Sequence, residues 1–585
     1  MSLTPKKLYL CLYWHMHQPD YRDYLSGEFV LPWTYLHAIK DYTDMVYHIE
    51  QNPQAKVTFN YVPVLLDQLE EYARQSRYGE VSDPLLGLLK EQDLDNLPTQ
   101  KRQYILDCCF RSNHEKMVEP FPRYKHLYQL YLKVQETEDA SYVSGQYLSD
   151  LLVWYHLAWM GESLRRDMPL VISLMTKGHG FSAEDRCDLF EFICKTIIEL
   201  IPRYRALIKK GQIEVSTTPH YHPILPLLLD FNSAREAAPE MPLPDTKRYP
   251  GGTARAHRHV EDAIASHSER FGKKPAGVWP AEGGVSQPAL MLLAHKGFSW
   301  AATGEGVLSN SLRKFHGDQS LYQDKRHLYK PYRISDDKAG ILCFFRDDYL
   351  SDKIGFEYSK WHSDNAVQDF IYQLETISER TAEGETPVVS IILDGENAWE
   401  YYPYNAYYFL SLLYQTLADH PYIEMATFSE IAQQCNATTA DKKPLGNANI
   451  VAQPLDGIVA GSWVYGTFST WMGDPAKNRA WDLLCDAKQK YDLVMASGVL
   501  KPEEQAAAER QLGDCEGSDW FWWFGDYNPS ASVQSFDLLY RRNLTNLYRL
   551  LKLPVPEILS QSISKGGGEG DGSAEGAGAM RRGQE

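Results

Sequence analysis

Two acidic residues stand where strand-like runs break off. The run Pro387-Val-Val-Ser-Ile-Ile-Leu closes on Asp394-Gly-Glu396-Asn-Ala-Trp399-Glu400. A β-branched, apolar run has the composition of a strand buried on both faces. Acids at the C-terminal end of such a strand sit where α/β barrels carry their catalytic groups. Residues two apart in an extended chain share a face, so Asp394 and Glu396 are equivalent candidates on this reading. The alternative is an acidic cap for the helix predicted from about Tyr404. A second run, PAGVW (275–279), ends in Pro280-Ala-Glu282-Gly-Gly. Its glycines allow close backbone approach, and the alternative there is a surface or helix-start acid. Two carboxylates from separate strands, meeting among aromatics, suit glycoside cleavage. One protonates the leaving oxygen while the other attacks or supports the oxocarbenium-like carbon.

Histidines form the second group. His15/His17 and His220/His222 are both H-x-H pairs at strand ends. Four imidazoles with nearby carboxylates are a possible divalent-metal set. The competing reading is neutral His that binds hydroxyls or orients the acids. Trp279, Trp399, Trp463, Trp471 and Trp520 are candidate sugar-stacking walls beside Asp519, although most aromatics in any chain are core. Arg346 and Asp352, in Phe-Arg-Asp-Asp-Tyr-Leu-Ser-Asp, pin either a loop or a ligand, with the loop favoured.

The elements that must position these groups alternate. Strand patterns fall at 7–14, 57–61, 212–216, 275–279, 298–303, 341–345 and 387–394, with a further one at 422–427. Helical periodicity fills most of the gaps, and strands alternating with helices imply parallel α/β connectivity. A doubly wound sheet would gather its polar residues at one crevice. Here they recur at strand after strand, which favours a (β/α)7 barrel over residues 1–435. A mostly helical insertion is expected at about 66–205, and a C-terminal helical domain over 436–558. The Gly/Ser/Glu-rich remainder, 559–585, is too poor in apolar residues to fold and is expected to be disordered.

Composition narrows the class. The chain has 585 residues, 44% of them hydrophobic, with 14 Trp, 38 Tyr and a net charge of −18. That charge opposes a nucleic-acid partner, which needs a positive footprint. Nine cysteines without C-x-x-C spacing suggest reduced thiols. No signal-like or membrane-length stretch is present, so a cytoplasmic protein without a membrane partner is expected.

Four ordered segments carry a resemblance: HMHQPDY (15–21), EVSTTPHYHPILPLL (214–228), GVWPAEGGVS (277–286) and IILDGENAWEYY (391–402). Together they resemble glycoside hydrolase family 57. The Gly-Ser-Trp, Thr-Trp-Met-Gly-Asp and Gly-Ser-Asp-Trp-Phe-Trp-Trp segments are similar to the C-terminal region of its amylopullulanase-like members. The resemblance implies a barrel acting on α-glucans (glycogen, starch, maltooligosaccharides) with retention, and with no cofactor or metal. It implies Glu282 as nucleophile and Asp394 as acid/base, with His15, His17 and His222 lining the site. Glu396 falls to a supporting role. Glucan transfer or branching on the same site is the alternative activity. A metal-dependent deacetylase- or mannosidase-like hydrolase, built on the H-x-H pairs, is the alternative of another class, and a glucan-binding protein without chemistry is a third.

Overall fold

The computed structural model describes residues 6–137, 143–317, 325–437 and 444–567. Ten strands occur among them: β1 (Leu8–Met16), β2 (Val57–Tyr61), β3 (Ile213–Ser216), β4 (Gly277–Val278), β5 (Trp300–Gly304), β6 (Tyr332–Ser335), β7 (Gly340–Arg346), β8 (Val388–Asp394), β9 (Ile423–Met425) and β10 (Gln453–Pro454). Seven of them pair in parallel around a ring. β1 pairs with β2 and β2 with β3, a parallel bridge from Thr217 to Val278 carries β3 to β4, and β4 pairs with β5. β5 then pairs with β7, β7 meets β8 at Arg346 and Ser390, and β8 returns to β1. The ring is the expected seven-stranded barrel. Its first strand is buried at every position, as both faces of a parallel strand covered by helices must be.

Three strands lie outside the ring. β9 pairs with the first residues of β1, below the point where β2 begins. β6 runs antiparallel to β7 and carries β10 on its other edge. The periodicity of the sequence did not reveal this ribbon, because β6 alternates buried and less buried residues over only four positions.

Between β2 and β3 the described residues are mostly helical, from the helix Pro63–Arg77 to the helix Ala183–Lys210. Its longest helix, Ala183–Lys210, starts on a capping box between Ser182 and Asp185 and stops at Gly211, whose φ of 72° suits glycine. The insertion shares one continuous apolar core with barrel strands β1 and β2 and with the C-terminal helices.

The C-terminal region contributes helices Pro475–Ser497, Pro502–Cys515, Asp519–Trp523 and Ser530–Leu550. Lys477, buried among them, donates to the carbonyls of Thr470 and Phe521 and to the Tyr527 hydroxyl. Residues 559–567, expected as the start of a disordered tail, are instead seated on this domain. The amides of Ile563 and Ser564 donate to Asp537, and the Ser564 hydroxyl accepts from Gly525. Side chains such as Asp537 supply the anchoring that apolar composition lacks. The rest of the expected tail lies outside the described residues. All nine cysteines are free, and among the described residues no helix is long and apolar enough to cross a membrane.

Candidate active site

The C-terminal ends of the barrel strands open into one cleft of about 970 Å³, counted to its open mouth. β1 and the residue after it deliver His15 and His17, the segment after β3 His222, the segment after β4 Trp279 and Glu282, β7 Arg346, and β8 and the turn after it Asp394 and Glu396. Trp463, Asp519, Trp522, Trp523 and Phe536 close the cleft from the C-terminal side.

Glu282 sits in a strained turn. Its φ is 58° and that of Gly283 is 56°, left-handed values that are costly for a glutamate. The turn is held by its neighbours: the Trp463 amide donates to the Glu282 carbonyl at 3.2 Å, and the Thr303 hydroxyl to the Gly283 carbonyl at 2.5 Å. Gly283 is also sterically required. A Cβ there would come within 2.9 Å of the Trp279 ring and 3.3 Å of Trp463. Ser518 Oγ donates to Glu282 Oε1 at 2.8 Å, and Trp463 Nε1 donates to Oε2 at 3.4 Å. Burial, and then the nearby Asp519 charge, push the Glu282 carboxyl up to about 7 despite these two donors.

Asp394 and Glu396, equivalent by strand periodicity, are separated by the turn that follows β8. Gly395 approaches β1 so closely that a Cβ would meet the Met16 sulfur at 2.3 Å, and its amide donates to the His15 carbonyl. Asp394 keeps a single donor, Asn397 Nδ2 at 3.3 Å, and burial raises its carboxyl. Glu396 accepts from the His17 amide at 3.1 Å and from Gln18 at 3.4 Å. Burial, followed by the charge of Asp394, drives it well above the usual carboxylate range.

The three cleft histidines form a stack. His17 and His222 lie 3.9 Å apart at 21°, and His15 and His222 lie 5.2 Å apart. His15 Nδ1 meets Asn60 Oδ1 at 2.6 Å, and His222 Nδ1 meets Ser518 Oγ at 2.8 Å. Burial, with the neighbouring imidazole adding to it, lowers His15 to about 3, and the same causes take His222 well below its ordinary value. Both are neutral at physiological pH.

The second H-x-H pair does not converge. His220 turns outward to Asp67 at 2.9 Å, which removes the four-histidine metal set. His17, His222 and Asp519 do come within reach of one another. A metal, however, must lie near each ring plane at about 2.1 Å from the nitrogen. Two rings stacked 3.9 Å apart at 21° offer no such point. His17 Nε2 is also already engaged by Asp519 at 2.8 Å, so these residues do not fit a metal.

The aromatic expectations divide. Trp279 and Trp463 line the cleft; Trp399, Trp471 and Trp520 do not. Trp399 packs edge-on against Trp14 and donates to the Gly395 carbonyl, so it braces the turn after Asp394. Trp471 lies behind Trp522, and Trp520 stacks on Tyr540 while donating to the Asp514 carbonyl. All three are buried in the core, packed against protein rings rather than facing the cleft. The wall they were expected to form is made by Trp522, lying 13° from parallel to Trp463, and by Trp523. Sequence reasoning also missed Ser518. Its position beside Asp519 in Gly-Ser-Asp-Trp was the available signal. Arg346 pins its loop as expected, bonding Asp348 and Asp352 at 2.7 Å each, and lies 5.2 Å over the Trp463 ring.

Comparison with known proteins agrees with this architecture. The family model for glycosyl hydrolase family 57 matches residues 11–443. Among solved structures, the α-amylase AmyC of Thermotoga maritima superposes with a TM-score of 0.54 at 12% identity, over 93% of each chain. A branching enzyme of the same family type from Pyrococcus horikoshii gives 0.52 at 15% identity, over 94% of this chain and 96% of that one. A family 57 branching enzyme from Thermococcus kodakaraensis gives 0.51 at 14% identity, over 93% and 90%. No curated protein matches the chain. With the matched model spanning most of its length and the barrel shared with those structures, the chain belongs to glycosyl hydrolase family 57 and is an enzyme of the glycoside hydrolase or transferase kind.

Proposed function

We propose that this protein cleaves α-glucosidic bonds of α-glucans with retention of configuration, through a covalent glycosyl-enzyme. The observation that carries the proposal is that two carboxyls from separate strands, Glu282 and Asp394, line one aromatic-walled cleft. Glu282 has a donor on each oxygen, Ser518 and Trp463, which orient the carboxyl. Burial and the Asp519 charge raise it to about 7, so it is the anion above that pH. Asp394 has a single long contact and an apolar strand behind it, and burial raises its carboxyl in the direction an acid/base needs.

In this reading Glu282 attacks the anomeric carbon as the glycosidic bond breaks, while Asp394 gives its proton to the departing oxygen. Asp394 then takes a proton from the incoming water or sugar hydroxyl, which attacks the glycosyl-enzyme and releases Glu282. His15 and His222, held neutral, are suited to bonding sugar hydroxyls. Trp279, Trp463 and Trp522 offer ring faces to the sugars. Glu396, whose carboxyl burial drives well above the usual range, accepts from the His17 amide and so supports the turn that carries Asp394.

The solved relatives are described as an α-amylase and branching enzymes, which supports an α-glucan as substrate and leaves water and glucan as competing acceptors. Product profiling on maltoheptaose, pullulan and glycogen tests the reading. Shortened maltooligosaccharides indicate hydrolysis of α-1,4 bonds, maltotriose from pullulan indicates α-1,6 cleavage, and longer products indicate transfer. No change in any of the three substrates would overturn it.

A further inference from the structure

The loop after β8 presents a second group of aromatics outside the cleft. Ten positions after Asp394, Tyr404, Asn405 and Ala406 are consecutively left-handed, with φ of 55°, 51° and 60°. Tyrosine and alanine seldom adopt this conformation, and such strain persists where the surroundings over-determine it. Here the surroundings do so through one buried carboxylate. Asp44 accepts from Asn405 Nδ2 at 2.9 Å, and from the amides of Glu162 and Ser163 at 2.7 and 3.0 Å. Asp44 therefore ties the strained loop to the start of helix Glu162–Asp167, which carries Arg166.

Arg166 completes the group. Its guanidinium lies 5.9, 4.5 and 5.0 Å from the ring centroids of Tyr404, Tyr407 and Tyr408, and Nη2 bonds the Tyr408 hydroxyl at 2.8 Å. Tyr404 is 55% exposed and Tyr408 47%, and their rings meet at 86°. Packing does not account for an exposed tyrosine at Tyr404, where glycine would relieve the backbone at no loss of core. The ring itself is what the strain holds in place.

We propose that Tyr404, Tyr408 and Arg166 form a surface site that holds an α-glucan chain outside the catalytic cleft. This inference rests on the α-glucan reading above. The C–H face of a glucose ring is apolar and stacks on an exposed aromatic face, while its hydroxyls meet the tyrosine and guanidinium donors. Two rings at a right angle fit a chain that curls, as α-linked glucans do, and do not fit a flat β-linked ribbon. Arg166 is charge-paired with Glu162 at 2.8 Å, and the chain carries a net charge of −18, so a neutral polymer suits the site and an anionic one does not. The site stands at the same end of the barrel as the cleft, since the loop leaves β8 beyond Asp394.

Native electrophoresis through gels containing glycogen, compared with gels containing a soluble cellulose derivative, tests the proposal. The Tyr404→Gly and Tyr404→Gly/Tyr408→Ala variants are run beside the unaltered chain, with maltoheptaose turnover measured in parallel. Glycine is favoured at this φ, so Tyr404→Gly should melt no lower than the unaltered protein. The expected result is retardation by glycogen alone, with apparent affinity weakened roughly tenfold in the double variant. Maltoheptaose turnover should stay within twofold. Undiminished retardation in the double variant, or equal retardation by the cellulose derivative, would overturn the surface site. Absence of maltoheptaose turnover in the unaltered chain would instead overturn the α-glucan reading.

Discussion

Glu282, lining the cleft, and Glu516, fully buried, are both glutamates at the junction of barrel and C-terminal region, yet their environments drive them in opposite directions. Burial and the Asp519 charge push Glu282 up to about 7. For Glu516 burial is again the largest influence, but the Arg255 charge and the His259 bond outweigh it and hold the carboxyl down at about 2. The difference lies in the partners. Glu516 receives Tyr249 at 2.6 Å, Arg255 Nη2 at 2.7 Å and His259 at 2.7 Å. Glu282 receives one hydroxyl and one long indole contact. A compensated buried charge fastens two domains together. An under-compensated one, as at Glu282, keeps the reactivity that the proposed catalysis needs. The two sites are adjacent because Glu516 fixes the segment that delivers Ser518 and Asp519.

Substitutions should separate the two roles. Glu282→Gln should lower turnover of maltooligosaccharides by on the order of 10³-fold or more while leaving the melting temperature unchanged or higher, since it removes a poorly compensated buried acid. Near-normal turnover would remove Glu282 as nucleophile. Arg255→Ala should do the reverse in kind. It strands a buried carboxylate and should cost about 3–5 kcal/mol of stability, read from denaturant unfolding.

The pH responses should also part. The folded value of Glu516 lies below its ordinary 4.5, so the stability it contributes is present above about 4.5 and is lost as pH falls from there through about 2. In the proposed mechanism Glu282 acts as the anion, so kcat/KM of the free enzyme should rise with pH through about 7. Asp519→Asn removes a charge that raises Glu282 and should move this limb to lower pH. Ser518→Ala removes a donor that lowers it and should move the limb upward, with Ser518→Thr restoring it. These shifts, of roughly half a unit to one unit, are the smallest effects of the set. A limb that stayed fixed in both variants would assign it to another group.

Much of this was legible in the sequence. Strands ending in polar residues made the barrel visible and marked Glu282, Asp394, Glu396 and the two H-x-H pairs as candidates at its face. The choice of Asp394, His15, His17 and His222 among them came with the family resemblance. Periodicity could not divide Asp394 from Glu396, because their separation depends on the contact of Gly395 with Met16. Nor could composition tell a tryptophan lining a cleft from one bracing it. Trp399 and Trp522 differ only in what packs on them, which is a property of the tertiary fold. Ser518 was hidden for the same reason: its partners, His222 and Glu282, lie in distant parts of the chain. The H-x-H spacing misled at His220, where a turn, and no continuing strand, points the ring toward Asp67.

The most direct test of Glu282 as nucleophile is to trap the glycosyl-enzyme. Incubation with a fluorinated α-glucosyl fluoride, followed by peptide mapping, should find the sugar covalently attached to Glu282. Attachment to Asp394, or turnover that inverts the anomeric configuration with no labelled peptide, would contradict the account.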